Sequence, residues 1–188
     1  IDPLTLKSTK GLLEDTSPIS CRTAVVMPVY NEDTHRVIAG FEATLRSLEK
    51  TGEIAHFDFF LLSDTTNLTI AQAERDAWQL LTERLGDLSK QTFYRRREKN
   101  IARKVGNLAE FCQRWGANYE NMIVLDADSI MAGDCLLKMV RAMQANPRTG
   151  LIQTIPIPVR QTTFFGRFVQ FAAVLYSPML ATGLAFWQ

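Results

Sequence analysis

The sequence is poor in the side chains that most often hold metals or carry redox chemistry. It contains two histidines, His35 and His56, and three cysteines, Cys21, Cys112 and Cys135, in 188 residues. No two cysteines form a C-x-x-C pair, so free thiols in a reducing compartment are expected rather than a zinc site or a disulfide framework. Both histidines stand alone and are expected at the surface. An excess of charge of one sign is also missing. Twenty-one Lys and Arg face 20 Asp and Glu, a formal charge of +1, so any attraction for phosphate must be local. There is no internal repeat and no low-complexity segment. No charged and apolar leader follows Ile1, so no signal peptide is expected. The missing initiator Met and the abrupt Phe186-Trp187-Gln188 read as a piece of a longer protein. Acidic residues stop at Asp134, and 168–187 holds no charged residue at all.

What the sequence does have is alternation. Residues 1–21 mix Pro, Gly, Ser and Thr with scattered charge and read as an arm or linker. Apolar runs at 23–28, 57–62, 92–94, 122–125 and 151–154 predict five strands, the third of them short. Between them, apolar residues recur at helical spacing: Val37, Phe41, Leu45 and Leu48 predict a helix over 33–50, stopped by Gly52. Further helices are expected over 69–85, capped by Thr69 and stopped by Gly86, over 105–115, and over 135–144 before Asn146-Pro147. Strands alternating with helices imply right-handed crossovers and an α/β, Rossmann-like, mainly parallel sheet with helices on both faces. Ligands of such sheets sit beyond the carboxyl ends of the strands, so polar residues just after each strand are the first candidates.

Four such features stand out. Asp126-Ala127-Asp128 ends an apolar strand, and two carboxylates flanking one residue can share a hard cation with phosphate oxygens. A polar turn reads the same way in isolation. A phosphatase of the haloacid dehalogenase type also starts from a similar motif, but on its first strand, whereas this one lies on the fourth. Pro28-Val29-Tyr30-Asn31-Glu32-Asp33 follows the first strand: Tyr30 offers a stacking face, and Asn31 and Glu32 offer partners for a base or ribose, although Asn-Glu-Asp before a helix is also capping chemistry. Asp64, ending the second strand, can accept a hydrogen bond from a pyrimidine N–H, or simply serve a turn. Six basic residues and one acid lie between Arg95 and Lys104. They are a solvated loop, a nucleic-acid patch, or a phosphate site. Lys104 before Gly106-Asn107 favours the last, because a helix N-terminus there aims N–H groups at an anion, and Gly106 permits close backbone approach.

Together, Val26-Met27-Pro28-Val29-Tyr30-Asn31-Glu32, Asp64, Lys104-x-Gly106-Asn107-Leu108 and Asp126-x-Asp128 resemble the family 2 glycosyltransferases of GT-A fold, which include cellulose synthase. Phe93-Tyr94-Arg95-Arg96-Arg97, Phe111-Cys112-x-Arg114-Trp115-Gly116 and Phe186-Trp187-Gln188 look like the branch that makes osmoregulated periplasmic glucans in Gram-negative bacteria. The resemblance implies a UDP-glucose donor, a Mg²⁺ or Mn²⁺ ion, a growing β-glucan acceptor and an inverting reaction, and no nucleic-acid partner. It places Tyr30, Glu32 and Asp64 about the uridine, Lys104 and Asn107 near the base and diphosphate, and Asp126 and Asp128 at the diphosphate and metal, with Pro28 and Asn31 also among the nucleotide-sugar-binding residues. It also implies a catalytic carboxylate and an Arg-Trp acceptor motif after the metal site. No acidic residue follows Asp134 and no Arg-Trp pair follows the metal motif, so the chain on its own is expected to bind donor weakly and transfer nothing. A non-catalytic nucleotide-sugar sensor is the rival reading.

The resemblance further implies a parent enzyme in the bacterial inner membrane with its catalytic domain facing the cytoplasm. Residues 22–160 are then the nucleotide-sugar-binding half of the domain and 161–188 an apolar segment beginning the acceptor side. Gln170, Ser177, Pro178, Thr182 and Gly183 interrupt the uncharged stretch, so packing against the rest of the domain or resting at the membrane interface is expected in preference to spanning. Exposed on its own, the segment would favour self-association.

Overall fold

The structure, a computed structural model, describes residues 16–159 and 161–187. Of the expected arm, residues 1–15 lie outside the described residues, as do the boundary residue 160 and Gln188. The strands are β1 (Thr23–Val29), β2 (Phe57–Ser63), β3 (Thr92–Arg96) and β4 (Asn121–Val124). The helices are α1 (Thr34–Glu49), α2 (Leu68–Leu85), α3 (Arg103–Trp115), α4 (Gly133–Ala145) and α5 (Phe164–Trp187). All strand pairings are parallel, in the order β3-β2-β1-β4. The chain therefore builds outward from β1 to β3 and then returns to the other side of β1, making the gap between β1 and β4 the point where strand order reverses.

Both faces of the sheet are apolar because successive side chains point opposite ways. Val25, Met27 and Val29 of β1 and Phe57, Phe59 and Leu61 of β2 share one core with Phe41 and Leu45 of α1, Leu81 of α2 and Leu136 of α4. Ala24, Val26, Phe60 and Leu62 face the other way, onto Phe111 and Trp115 of α3. Phe41 meets Phe59 edge to face at 5.8 Å, and Phe60 meets Phe111 at 4.8 Å. α4 lies so close to α1 that a Cβ on Gly133 would sit 2.4 Å from the Ser47 carbonyl oxygen.

The helix ends show their causes. The Asp33 carboxylate accepts from the Arg36 N–H at 2.9 Å and starts α1. Gly52, at φ 81°, turns the chain out of it. α2 differs from expectation: Asn67, not Thr69, is its cap, and Asn67 Oδ1 accepts from the N–H groups of Thr69 and Ile70. Thr69 already lies inside the first turn, where its own N–H needs a partner.

The fifth strand expected at 151–154 does not form; that segment carries no ladder. The sheet ends at β4, and an apolar run without a strand beside it has nothing to pair with. α5 is a single helix whose Phe164, Phe165, Phe168, Phe171 and Tyr176 are exposed. Among the described residues no helix is long and apolar enough to cross a membrane.

Candidate functional site

Two strands open the site by parting. Leu125 N–H donates to Val26 O at 2.9 Å, and Asp64 N–H to Val29 O at 2.9 Å. Even-numbered β1 residues thus face β4 and odd-numbered ones face β2. Pro28 has no N–H to give on the β4 side, but β4 has already left the ladder there, since its pairing stops at Val26↔Val124. Proline is tolerated because nothing remains to be bonded, and a crevice opens between Pro28 and the chain leaving β4.

That crevice is a cavity of about 670 Å³ lined by Pro28, Tyr30, Glu32, Asp64, Lys104, Asn107, Asp126 and Asp128. Four chain segments, each following a different strand, meet there, and the volume suits a small-molecule ligand. Asn31 is the one sequence candidate that does not line it. Its backbone, at φ 52°, turns the loop instead, and its side-chain oxygen accepts from the Thr66 and Asn67 N–H groups.

The side chains differ in how free they are. Tyr30 is half exposed, with its ring available to a planar ligand. Asp64 is buried, and Arg97 clasps both its oxygens, Nε to Oδ1 at 2.6 Å and Nη2 to Oδ2 at 2.7 Å. This hydrogen bonding raises the Arg97 pKa further. The same guanidinium donates to the carbonyls of Ile101 and Arg103, so it also ties down the turn in which Ala102 and Arg103 take left-handed backbone. Gly106 belongs to that turn: a Cβ there would sit 2.0 Å from the Ile101 carbonyl oxygen. Asn107 is fully buried. Its amide donates to Leu62 O at 2.9 Å, and its oxygen accepts from Arg95. Its polar atoms therefore lock α3 to the end of β2.

Lys104 pairs with Asp126. Both side chains are more than half exposed, and an exposed pair of this kind contributes about 1 kcal/mol or less, so either partner is easily drawn to another ion. Asp128 is exposed. Among the described residues no group of three or more His, Cys, Asp and Glu side chains is placed to hold a metal. Two carboxylates cannot fill the shell of a hard divalent ion, but they fit one whose remaining positions are taken by phosphate oxygens and water.

Three polar lining residues were not among the sequence candidates. Arg36, in the first turn of α1, and Arg103 add positive charge to the cavity. Asn100 also lines it, and its Oδ1 is buried with no partner. The basic run pointed at Arg103; nothing in the spacing pointed at Arg36 or Asn100. A second cavity, of about 710 Å³, runs along the outer edge of β4 between Met122, Val124, Met139, Met143 and the 150–154 segment. It is lined mainly by apolar side chains and gathers no comparable set of charges, so the first cavity is the candidate site.

Comparison with known proteins places the chain in a family. Glucans biosynthesis glucosyltransferase H of Pseudomonas aeruginosa (strain LESB58) is 51% identical over 180 residues, which is 95% of this chain and 21% of that protein. The protein of the same name from Escherichia coli (strain K12) is 48% identical over 167 residues, 89% of this chain and 20% of that protein. The one from Dickeya dadantii (strain 3937) is 46% identical over 187 residues, all of this chain and 22% of that protein. The chain thus spans about a fifth of the length of the curated relatives it matches. The model of glycosyl transferase family 2 matches residues 24–182, from the start of the central strand into α5, and on that match the chain belongs to glycosyl transferase family 2.

Proposed function

We propose that the cavity between β1 and β4 binds the nucleotide diphosphate of a UDP-glucose donor. In a protein of the relatives' full length, that donor would supply glucose to a growing β-glucan with inversion at the anomeric carbon. The observation that carries this reading is the meeting of Tyr30, Asp64, Lys104, Asp126 and Asp128 around one cavity at the strand-order reversal.

Each residue has a task its chemistry suits. Tyr30 stacks on the uracil. Asp64, held by Arg97, and the open oxygen of Asn100 present acceptors to the base N–H. Glu32 takes ribose hydroxyls. Lys104 turns from Asp126 to the diphosphate, with Arg36 and Arg103 adding to the attraction. Asp126 and Asp128 would hold Mg²⁺ or Mn²⁺, Asp128 as a direct ligand. A cation bound there supplies Lewis acidity for the departing UDP. No residue after Asp134 is acidic, so the segment from 135 onward offers no carboxylate to deprotonate an acceptor hydroxyl. We expect donor binding by this chain without glucosyl transfer, and the site of transfer at the inner membrane, on its cytoplasmic side, for the longer protein.

The test is calorimetric titration of UDP-glucose, with Mn²⁺ or Mg²⁺, into the unaltered chain and Asp128→Ala. We expect the variant to bind at least about tenfold more weakly, the loss of one charge-assisted contact. Equal affinity in the two would remove the metal assignment.

A further inference from the structure

α2 buries one stripe against the sheet: Ala71, Glu74, Trp78, Leu81 and Leu85 follow one another at intervals of three and four residues. Such a stripe is built of apolar side chains, yet its second position is an acid, only 3% exposed. Burying a carboxylate is costly unless it is fully hydrogen-bonded. No ion pair to Glu74 occurs among the described residues. Its partners are three hydroxyls, from Ser63 at 2.6 Å, from Tyr94 at 3.0 Å and from Thr65 at 2.5 Å. Ser63 ends β2, Thr65 lies in the loop after it, and Tyr94 is in β3.

The bonds continue outward. Thr65 Oγ1, having donated to Glu74, accepts the Asn31 N–H at 3.0 Å. Ser63 Oγ likewise accepts the Thr65 N–H at 3.2 Å. Asn31 holds the Thr66 and Asn67 N–H groups in turn. A hydroxyl that donates to a carboxylate is oriented by it, with its lone pairs turned toward the next N–H. The carboxylate thus stands at the root of a hydrogen-bond tree joining the loop after β1 to the loop after β2. Those loops present Tyr30, Glu32 and Asp64 to the cavity, while Glu74 itself does not line it.

We propose that Glu74 is a positioning residue for the base-binding side of the cavity. It acts through Thr65 on the left-handed turn at Asn31, which aims Tyr30, and through Ser63 on the chain beside Asp64. The proposal rests on the reading of this cavity as a nucleotide site. It accounts for an acid in an otherwise apolar stripe: an apolar residue there would leave the Ser63 and Thr65 hydroxyls without the acceptor that orients them.

Three substitutions test it. Glu74→Gln keeps the shape but offers an N–H₂ where a hydroxyl must donate. Thr65→Val leaves Glu74 in place and cuts only the link to Asn31. Tyr94→Phe removes a hydroxyl that leads to neither loop. Amide hydrogen exchange is followed at Asn31, Thr66 and Asn67 against Val25, Met27 and Phe59 in the strands, and UDP affinity is measured with Mn²⁺. For Glu74→Gln and Thr65→Val we expect loop exchange to quicken and UDP affinity to fall, each by about tenfold, with the strand amides unchanged. Tyr94→Phe should lower the melting temperature and leave UDP affinity within about twofold. Unchanged loop exchange in Thr65→Val, or quickening spread equally through the strands, overturns the proposal. If the unaltered chain takes up no UDP, it is the donor reading that fails, and the exchange pattern still decides whether this tree orders the loops.

Discussion

Arg97 and Asp64 are buried together, their side chains 6% and 4% exposed. Removing one partner strands a charge, and Arg97→Met should cost about 3–5 kcal/mol by urea denaturation. Adding Asp64→Asn to that variant should recover part of the loss, because no bare carboxylate then remains. Gly106→Ala should cost roughly 1–3 kcal/mol, since the Ile101 carbonyl must move to admit a methyl group. Two phenols give a pH signature. Burial, then Glu74, pushes the Tyr94 pKa from 10.0 up to about 12; burial, then Asp58, raises that of Tyr119 as well. In the unfolded chain both ionise near pH 10, while in the fold they stay protonated. Their contribution is therefore complete below pH 10 and lost as pH rises above it, for Tyr94 through about 12. The urea midpoint should begin to fall above pH 10, and less steeply in Tyr94→Phe. At this scale the sequence showed which residues gather but not what each does there. Arg97 is 33 positions from Asp64, and in the linear string it is one arginine of a run. Asn107 reads as a ligand group because it follows Lys104, whereas burial has spent its amide on Leu62 and Arg95. Glu74 lies in Ala-Glu-Arg-Asp, which looks like an ordinary wet helix surface; only the three-four spacing of its neighbours marks it as inside.

The helices and the four strands that form were legible because periodicity and stop residues are local properties. Element ends and partners were less so. Thr69 and Asn67 are both good caps, and the choice between them depends on which lies outside the first turn. Replacing Asn67 with Ala should cost about 1 kcal/mol, while Thr69→Ala should cost much less, both by thermal denaturation. The 151–154 run has strand composition, but a strand is a relation between two segments, and no partner lies beside it. α5 presents Phe164, Phe165, Phe168 and Phe171 to solvent in one helix that carries no charge after Arg167. A patch of that size drives association, and sedimentation velocity should show concentration-dependent self-association of the chain. Phe168→Ser with Phe171→Ser should reduce it. An unaltered chain that stays monomeric at high concentration would mean the patch is covered in solution.

Across the whole molecule, the order β3-β2-β1-β4 puts the reversal of the sheet between β1 and β4, and Pro28 lies at its lip. Alternating strands and helices implied a parallel sheet but not this order, which depends on where each crossover lands. The candidate residues span from Pro28 to Asp128 along the chain, yet all but Asn31 border one cavity. The proposed chemistry depends on that convergence more than on any single side chain. Paramagnetic broadening by Mn²⁺ measures it, because the ion quenches amide signals around it whatever their place in the sequence. With UDP present, we expect Mn²⁺ to broaden the amides of Tyr30, Asp64, Lys104 and Asp126 through Ser129 together, and those of α5 not at all. Broadening confined to one of these segments, or unchanged when UDP is left out, would contradict a shared site for the nucleotide and its cation.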